Sequence, residues 1–259
     1  MTSRLVAQFI ALLIISMILC SSLITTANGQ SDYEHVHMRE YLHNRLYFSE
    51  LCEKMKFKAG AELGVQEGIF SRHMLDGWPS CQKYILVDIW GKQQNYFDVA
   101  NVDQSKQDEK YQNTLERLKD YKSKLVIHRN YTSSAVLLVE DESLDFVYVD
   151  ARHDYCGAME DMVNWWPKIK YGGMMAGHDY MTAEDQRVAQ RHQNVPIDDW
   201  GLCGDGKTRN EGAVKGAVDE FAKLHNTVVL STVHDGPWRS WIFSPKRRDH
   251  RHHNQTSIK

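Results

Sequence analysis

Residues 58–72 read KAGAELGVQEGIFSR. A short apolar run ends in Glu62, the chain passes through Gly64 and Gly68, and a helix-like pattern opens at Ile69-Phe70. That order is strand, glycine turn, helix. Such a turn lets backbone come close to a ligand, and the helix behind it presents free N–H groups. Outward along the chain, KYILVDIW at 83–90 is a second apolar run, closed by Asp88 and followed by Ile89. From Glu62 to Asp88 is 26 residues, near the roughly 20 expected when a second strand delivers a carboxylate to a ribose. The two segments together predict a nucleoside-binding α/β domain.

The same alternation continues. Strands are expected at 59–63, 83–89, 125–127, 144–150, 174–177, 227–233 and 238–243, and helices at 68–77, 106–122, 132–140, 156–170 and 212–225. Gly172-Gly173 punctuates the last stretch before the fifth strand. Residues 91–107 read as a polar loop and 181–210 as a polar, irregular insertion or lid. Residues 32–56 read as a helical lead-in. Continuous apolar strands alternating with helices predict an α/β fold, a doubly wound, mainly parallel seven-stranded sheet with helices on both faces. Ligands of such sheets lie beyond the carboxyl ends of the strands. Glu62, Asp88, Asp150, His153, His178 and Asp179 all fall there.

Composition bounds the rest. The chain has 259 residues, 25% of them charged, and a net charge of −3, so no bulk basic field argues for nucleic acid. Residues 5–19, LVAQFIALLIISMIL, followed by Ala27-Asn28-Gly29, read as a secretory signal peptide over 1–29, with an uncleaved, membrane-held signal anchor as the alternative. Either way a secreted or lumenal folded part is expected. After the leader come the lead-in (30–57), one domain (58–244) and a polar His-rich tail (245–259) expected to be disordered. Cys20 lies in the leader; Cys52, Cys81, Cys156 and Cys203 remain. Pairing Cys52–Cys81 and Cys156–Cys203 ties a peripheral segment to the core in each case; four reduced buried thiols are the alternative. Asn130-Tyr131-Thr132 and Asn254-Gln255-Thr256 are N-glycosylation sequons. A glycan on Asn130 would crowd the place expected for an adenine, so that residue is expected to point outward or stay unmodified.

Taken in order, AELGVQEGIFS, YILVDIW, LDFVYVDARHDY, KIKYGGMMAGHDY and GAVKGAVDEF resemble a class I S-adenosylmethionine-dependent methyltransferase. The subgroup most similar is that of the macrocin-type sugar O-methyltransferases and the related methyltransferase domain 24 proteins, with their Rossmann-like sheet. The resemblance implies S-adenosylmethionine as cofactor, held by Glu62, Gly64, Val65 and Gly68 of the turn, Asp88 and Ile89 after the second strand, and Asp150. It implies a divalent metal, Mg or Mn, at Asp150, His178 and Asp179, although the sugar enzymes often show two acids where this chain has His178-Asp179. His153, three residues past Asp150, is suited to act as base together with Asp179. Implied is O-methylation of a hydroxylated acceptor, a glycan or a small metabolite.

Competing readings follow from the same residues. Glu62 can be an N-terminal helix partner for the turn, Asp88 can merely cap the next loop, Asp150 and Asp179 can be strand-end acids that satisfy loop amides, and His153 can be a structural hydrogen-bonder. His178 can be purely structural, and Trp165 and Trp166 core anchors. A nicotinamide-dependent oxidoreductase needs a G-x-G-x-x-G turn, which 64–68 lacks. A secreted binding or scaffold protein that kept the fold and lost catalysis is the alternative from another class. The acceptor and the oligomeric state are not written in the sequence.

Overall fold

The computed structural model describes residues 38–191 and 198–247. The leader, the start of the lead-in and the tail from 248 onward, with its second sequon, lie outside the described residues, and the sheet belongs to the compact unit that begins at Tyr41. Among the described residues no helix is long and apolar enough to cross a membrane. In chain order the elements are α1 (Phe48–Lys54), β1 (Ala59–Leu63), α2 (Ile69–Gly77), β2 (Lys83–Asp88), α3 (Gln104–Arg117), β3 (Leu125–Arg129), α4 (Thr132–Ala135), β4 (Leu144–Val149), α5 (Tyr155–Trp165), β5 (Ile169–Gly177), α6 (Ala183–Gln190), α7 (Ala213–Leu224), β6 (Val229–Ser231) and β7 (Trp241–Phe243).

The strands form one seven-stranded sheet in the order β3-β2-β1-β4-β5-β7-β6. All pairings are parallel except those of β7 with β5 and β6. From β1 the chain steps outward through β2 to β3, then returns to the other side of β1 for β4 and β5. The switch point therefore lies between the carboxyl ends of β1 and β4, where a crevice is expected. Alternation along the strands splits the core. Ala61, Leu63, Ile85, Val87, Val147 and Val149 pack against Met162 and Trp165 of α5 and Val218 and Phe221 of α7. On the opposite face Phe146 and Tyr148 meet Phe48 edge-on, Tyr148 stacks on Phe70 at 4.2 Å, and Trp78 meets Tyr84 and Phe146. Each such ring stabilises by roughly 2–3 kcal/mol when fully buried.

Four expectations need correction. Cys156–Cys203 is a disulfide, but Cys52 and Cys81 are free. Both are buried, Cys52 on α1 and Cys81 with its thiol toward the Lys83 carbonyl at 3.5 Å, and they serve as small apolar core groups. The strand expected at 174–177 starts earlier, because Gly172 N–H donates to Lys246 O and Gly173 O accepts from Lys246 N–H, both at 2.8 Å, so the glycine pair is carried inside β5. Residues 181–210 are not irregular throughout. Thr182 and Asp185 form a reciprocal cap that starts α6. The helix expected at 106–122 gives way after Arg117 to a 3₁₀ segment, Lys119–Lys124.

Candidate functional site

Gly64 closes β1 with φ +86°, and its N–H donates to Val87 O at 2.8 Å. One strand over, Asp150 N–H donates to Leu63 O at 2.7 Å. The second bond holds the ends of β1 and β4 so close that a Cβ on Gly64 would stand 1.8 Å from Asp150 O. Gly68, at φ +69°, then begins α2. The result is a cleft of about 240 Å³ whose lining includes Glu62, Gly64, Val65, Asp88, Ile89 and Asp150. Gly68 is not in the lining, but its neighbours Glu67 and Ile69 are.

Glu62 projects from β1 beneath the cleft and is 1% exposed. Burial pushes its carboxyl up to about 8; the Tyr84 hydroxyl, donating at 3.1 Å, and the Arg45 charge oppose the shift, while Asp150 adds to it. A consequence for stability follows. Between pH 4.5 and 8 the native protein keeps a proton that the unfolded chain releases, so this group lowers stability as pH rises through that window. Glu62→Gln removes the effect. Between pH 5 and pH 8.5 the variant is expected to gain on the order of 3 kcal/mol of stability relative to wild type. Asp161 and Asp198, raised by burial to about 7 and about 6, slope the same way but are common to both proteins and cancel in the difference. Parallel pH–stability curves for the two proteins would refute the assignment.

Asp88 is already engaged by three backbone amides. Its Oδ2 accepts from Val65 and Gln66 N–H at 2.9 Å each, and its Oδ1 from Trp90 N–H at 2.7 Å. Burial raises its pKa and the three amides oppose that. The carboxylate thus ties the glycine turn to the segment after β2 while lining the cleft. Asn130, beyond β3, is exposed, and it is not among the residues lining the cleft.

Across the crevice lies a tight polar cluster. Asp179, at φ +57° and 5% exposed, has its Oδ1 2.9 Å from His178 Nδ1 and its Oδ2 3.2 Å from His153 Nε2. Asp150 Oδ1 is 3.5 Å from His153 Nε2 and 3.9 Å from His178 Nδ1. Burial disfavours the imidazolium form of His153, but Asp98, Asp150 and Asp179 overcome this and hold its pKa well above the usual histidine value. His178 is raised in the same way by Asp179 and Asp150. Burial raises Asp179, and the two imidazoles and Arg45 bring it below the ordinary carboxylate value. Asp150, His153 and Asp179 each offer a ligand atom, all within 4.8 Å of one another. His153 Nε2 is buried without a hydrogen-bond partner. An orphaned imidazole nitrogen facing two carboxylates fits a divalent cation, with His153 completing the set more closely than His178.

Sequence reasoning missed Arg45, Tyr96, Asp98 and Trp200. Arg45, just before α1, lies over Phe70 with Nη1 3.5 Å from Asp150 Oδ2. Tyr96 Oη is 3.2 Å from His153 Nδ1. For Tyr96 and Asp98 the only hint was the density of polar residues in 91–107.

A family model described as a methyltransferase domain matches residues 61–180, the stretch from β1 to just past Asp179. Solved structures of similar fold include an O-methyltransferase from Bacillus cereus in complex with SAH, 11% identical with a TM-score of 0.52, the match covering 78% of this chain and 80% of that one. Another is the O-methyltransferase TomG from Streptomyces achromogenes, involved in tomaymycin synthesis and crystallised with SAM, 10% identical with a TM-score of 0.52, covering 78% and 79%. No curated protein matches the chain by sequence. At these identities the structural likeness speaks for the fold, and the matched segment makes residues 61–180 similar to that methyltransferase domain.

Proposed function

We propose that this protein transfers a methyl group from S-adenosylmethionine to a hydroxyl oxygen of a glycan or small metabolite, in the manner of the macrocin-type enzymes and within the secretory pathway. The observation that carries the reading is the convergence of Glu62, Asp88 and Asp150 on one cleft at the switch point, beside the His153–Asp179 cluster. The cofactor supplies the sulfonium methyl group, so the protein must bind, orient and manage one proton. Gly64 and Val65 offer close backbone approach. Asp88 braces that turn through the Val65 and Gln66 amides, holds the Trp90 amide as well, and retains one acceptor site, on Oδ1, suited to a ribose hydroxyl. Glu62, with Arg45 nearby, suits the zwitterionic amino-acid end. In its neutral form His153 offers Nε2 to receive the acceptor's proton, and Asp98, Asp150 and Asp179, which favour the imidazolium, stabilise the charge that results.

A divalent cation, Mg or Mn, would be held by Asp150 and Asp179 with His178 where His153 Nε2 takes the proton, or with His153 Nε2 itself where it does not, and when bound would acidify a hydroxyl of the acceptor. The leader motif and the Cys156–Cys203 disulfide support a lumenal site of action. The test is transfer of labelled methyl from S-adenosylmethionine to a panel of hydroxylated acceptors, with and without chelator. Product on at least one vicinal diol, reduced by chelator, is expected. No product on any acceptor, with no heat of cofactor binding by calorimetry, would leave a scaffold that kept the fold.

A further inference from the structure

We propose that Asp98, in the loop between β2 and α3, is the positioning residue for His153. This rests on the reading of His153 as proton acceptor. Asp98 is nearly inaccessible, its side chain 2% exposed; it meets the imidazole at the nitrogen opposite the one facing Asp150 and Asp179 and is not among the residues lining the cleft. Its Oδ2 is 2.8 Å from His153 Nδ1 and accepts from Trp200 Nε1–H at 3.0 Å; its Oδ1 accepts from Ala100 N–H at 2.7 Å.

The donor logic is strict. An ionised carboxylate has no proton to give, so the proton between Asp98 and His153 belongs to Nδ1. Tyr96 does not compete for that position, because its hydroxyl is also aimed at Ala151 O, 3.3 Å away. With Nδ1–H fixed on Asp98, the ring's other nitrogen is turned toward Asp150 and Asp179, where Nε2 has no hydrogen-bond partner. An oriented histidine held by a carboxylate on its far nitrogen is the arrangement that fixes tautomer and ring direction, whether Nε2 meets a proton or a cation.

Trp200 makes the carboxylate's position costly to change. Its ring packs against the His153 ring at 4.5 Å and its indole N–H is committed to Asp98. The chain holding Trp200 is tied to the start of α5 by Cys156–Cys203, three residues beyond His153 on one side and three beyond Trp200 on the other. Three donors converge on Asp98, and the amide of an Asp98→Asn variant cannot serve all three. With the amide oxygen toward His153 and Trp200, the NH₂ would face the Ala100 N–H; flipped, it would face the indole N–H and force Nδ1 to become an acceptor.

The test uses the full chain with its disulfide intact. Nitrogen-15 spectra of the histidine rings are compared for wild type, Asp98→Asn, Asp98→Glu and His153→Gln, the last to assign the resonance. A strongly deshielded Nδ1–H proton is expected from His153 in wild type, lost in Asp98→Asn and recovered in part in Asp98→Glu, with cofactor affinity by calorimetry changed less than about threefold. In the labelled-methyl assay, turnover by Asp98→Asn is expected to fall about 10²–10³-fold with little change in the KM for S-adenosylmethionine. An unaltered His153 Nδ1–H resonance in Asp98→Asn would overturn the assignment, as would turnover within about threefold of wild type. Full turnover by His153→Gln would instead refute the reading of His153, and the resonance comparison would still decide what Asp98 holds.

Discussion

Gly64→Ala is expected to lose on the order of 4 kcal/mol of stability or more and to abolish cofactor binding in whatever fraction still folds. The new Cβ would meet backbone on every near side: Asp150 O at 1.8 Å, Asp150 C at 2.4 Å and Ala151 Cα at 2.8 Å. No side chain can rotate out of its way. Relief requires separating β1 from β4, which the Asp150–Leu63 bond opposes. The left-handed backbone, φ +86°, adds a cost for any residue with a side chain. Gly172→Ala separates the two effects. Gly172 has nearly the same φ, +85°, but nothing within 4 Å of its Cβ position, so about 1 kcal/mol is expected there. For a domain of this size the first change lowers the melting temperature by roughly 10 °C and the second by roughly 3 °C. Equal shifts would show that backbone conformation, not the contact between strand ends, governs the turn.

That contact marks the boundary of what could be read from sequence. The strands were legible because each buried one is a continuous apolar run, and the acid closing each run places itself at the carboxyl edge; Glu62, Asp88 and Asp150 reach the cleft for that reason. Asp88 also shows where such reading stops. An acid at a strand end says nothing about whether amides already occupy it, and here three do. Arg45, Asp98 and Trp200 were illegible for a different reason. Each lies outside the long helices and strands, and Asp98 meets Trp200 across 102 residues of sequence, so their pairing arises only from how distant loops pack. The cysteines divide the same way. Cys156 and Cys203 lie where two chain segments meet at the site, whereas Cys52 and Cys81 are taken up by the core. The Thr182–Asp185 cap was written in the sequence as T-x-x-D, but the surrounding polarity of 181–210 masked the helix it starts.

Asp179→Asn and Asp150→Asn are expected to reduce methyl transfer by at least about 10³-fold, the largest loss among polar changes at the site. Asparagine is the right probe at 179. The residue sits in the left-handed region, which Asn tolerates and Ala does not, so loss of charge is not confounded with new backbone strain. Asp179 is the shared partner of both imidazoles, His178 Nδ1 at 2.9 Å and His153 Nε2 at 3.2 Å, with the Arg45 charge also acting on it. Its amide would no longer stabilise positive charge on either imidazole and would offer an NH₂ where a cation or an acceptor proton has to be received. Asp150 has a second duty, because its backbone abuts Gly64 and its carboxylate lies 3.5 Å from Arg45. Asp150→Asn is therefore expected to weaken S-adenosylmethionine binding as well as turnover, whereas Asp179→Asn should leave cofactor affinity within about threefold. Calorimetric titration with Mn²⁺ completes the comparison: wild type binds, and each variant binds at least about tenfold more weakly. Wild-type turnover in both variants, insensitive to chelator, would return these two acids to the role of strand-end residues that merely satisfy their neighbours.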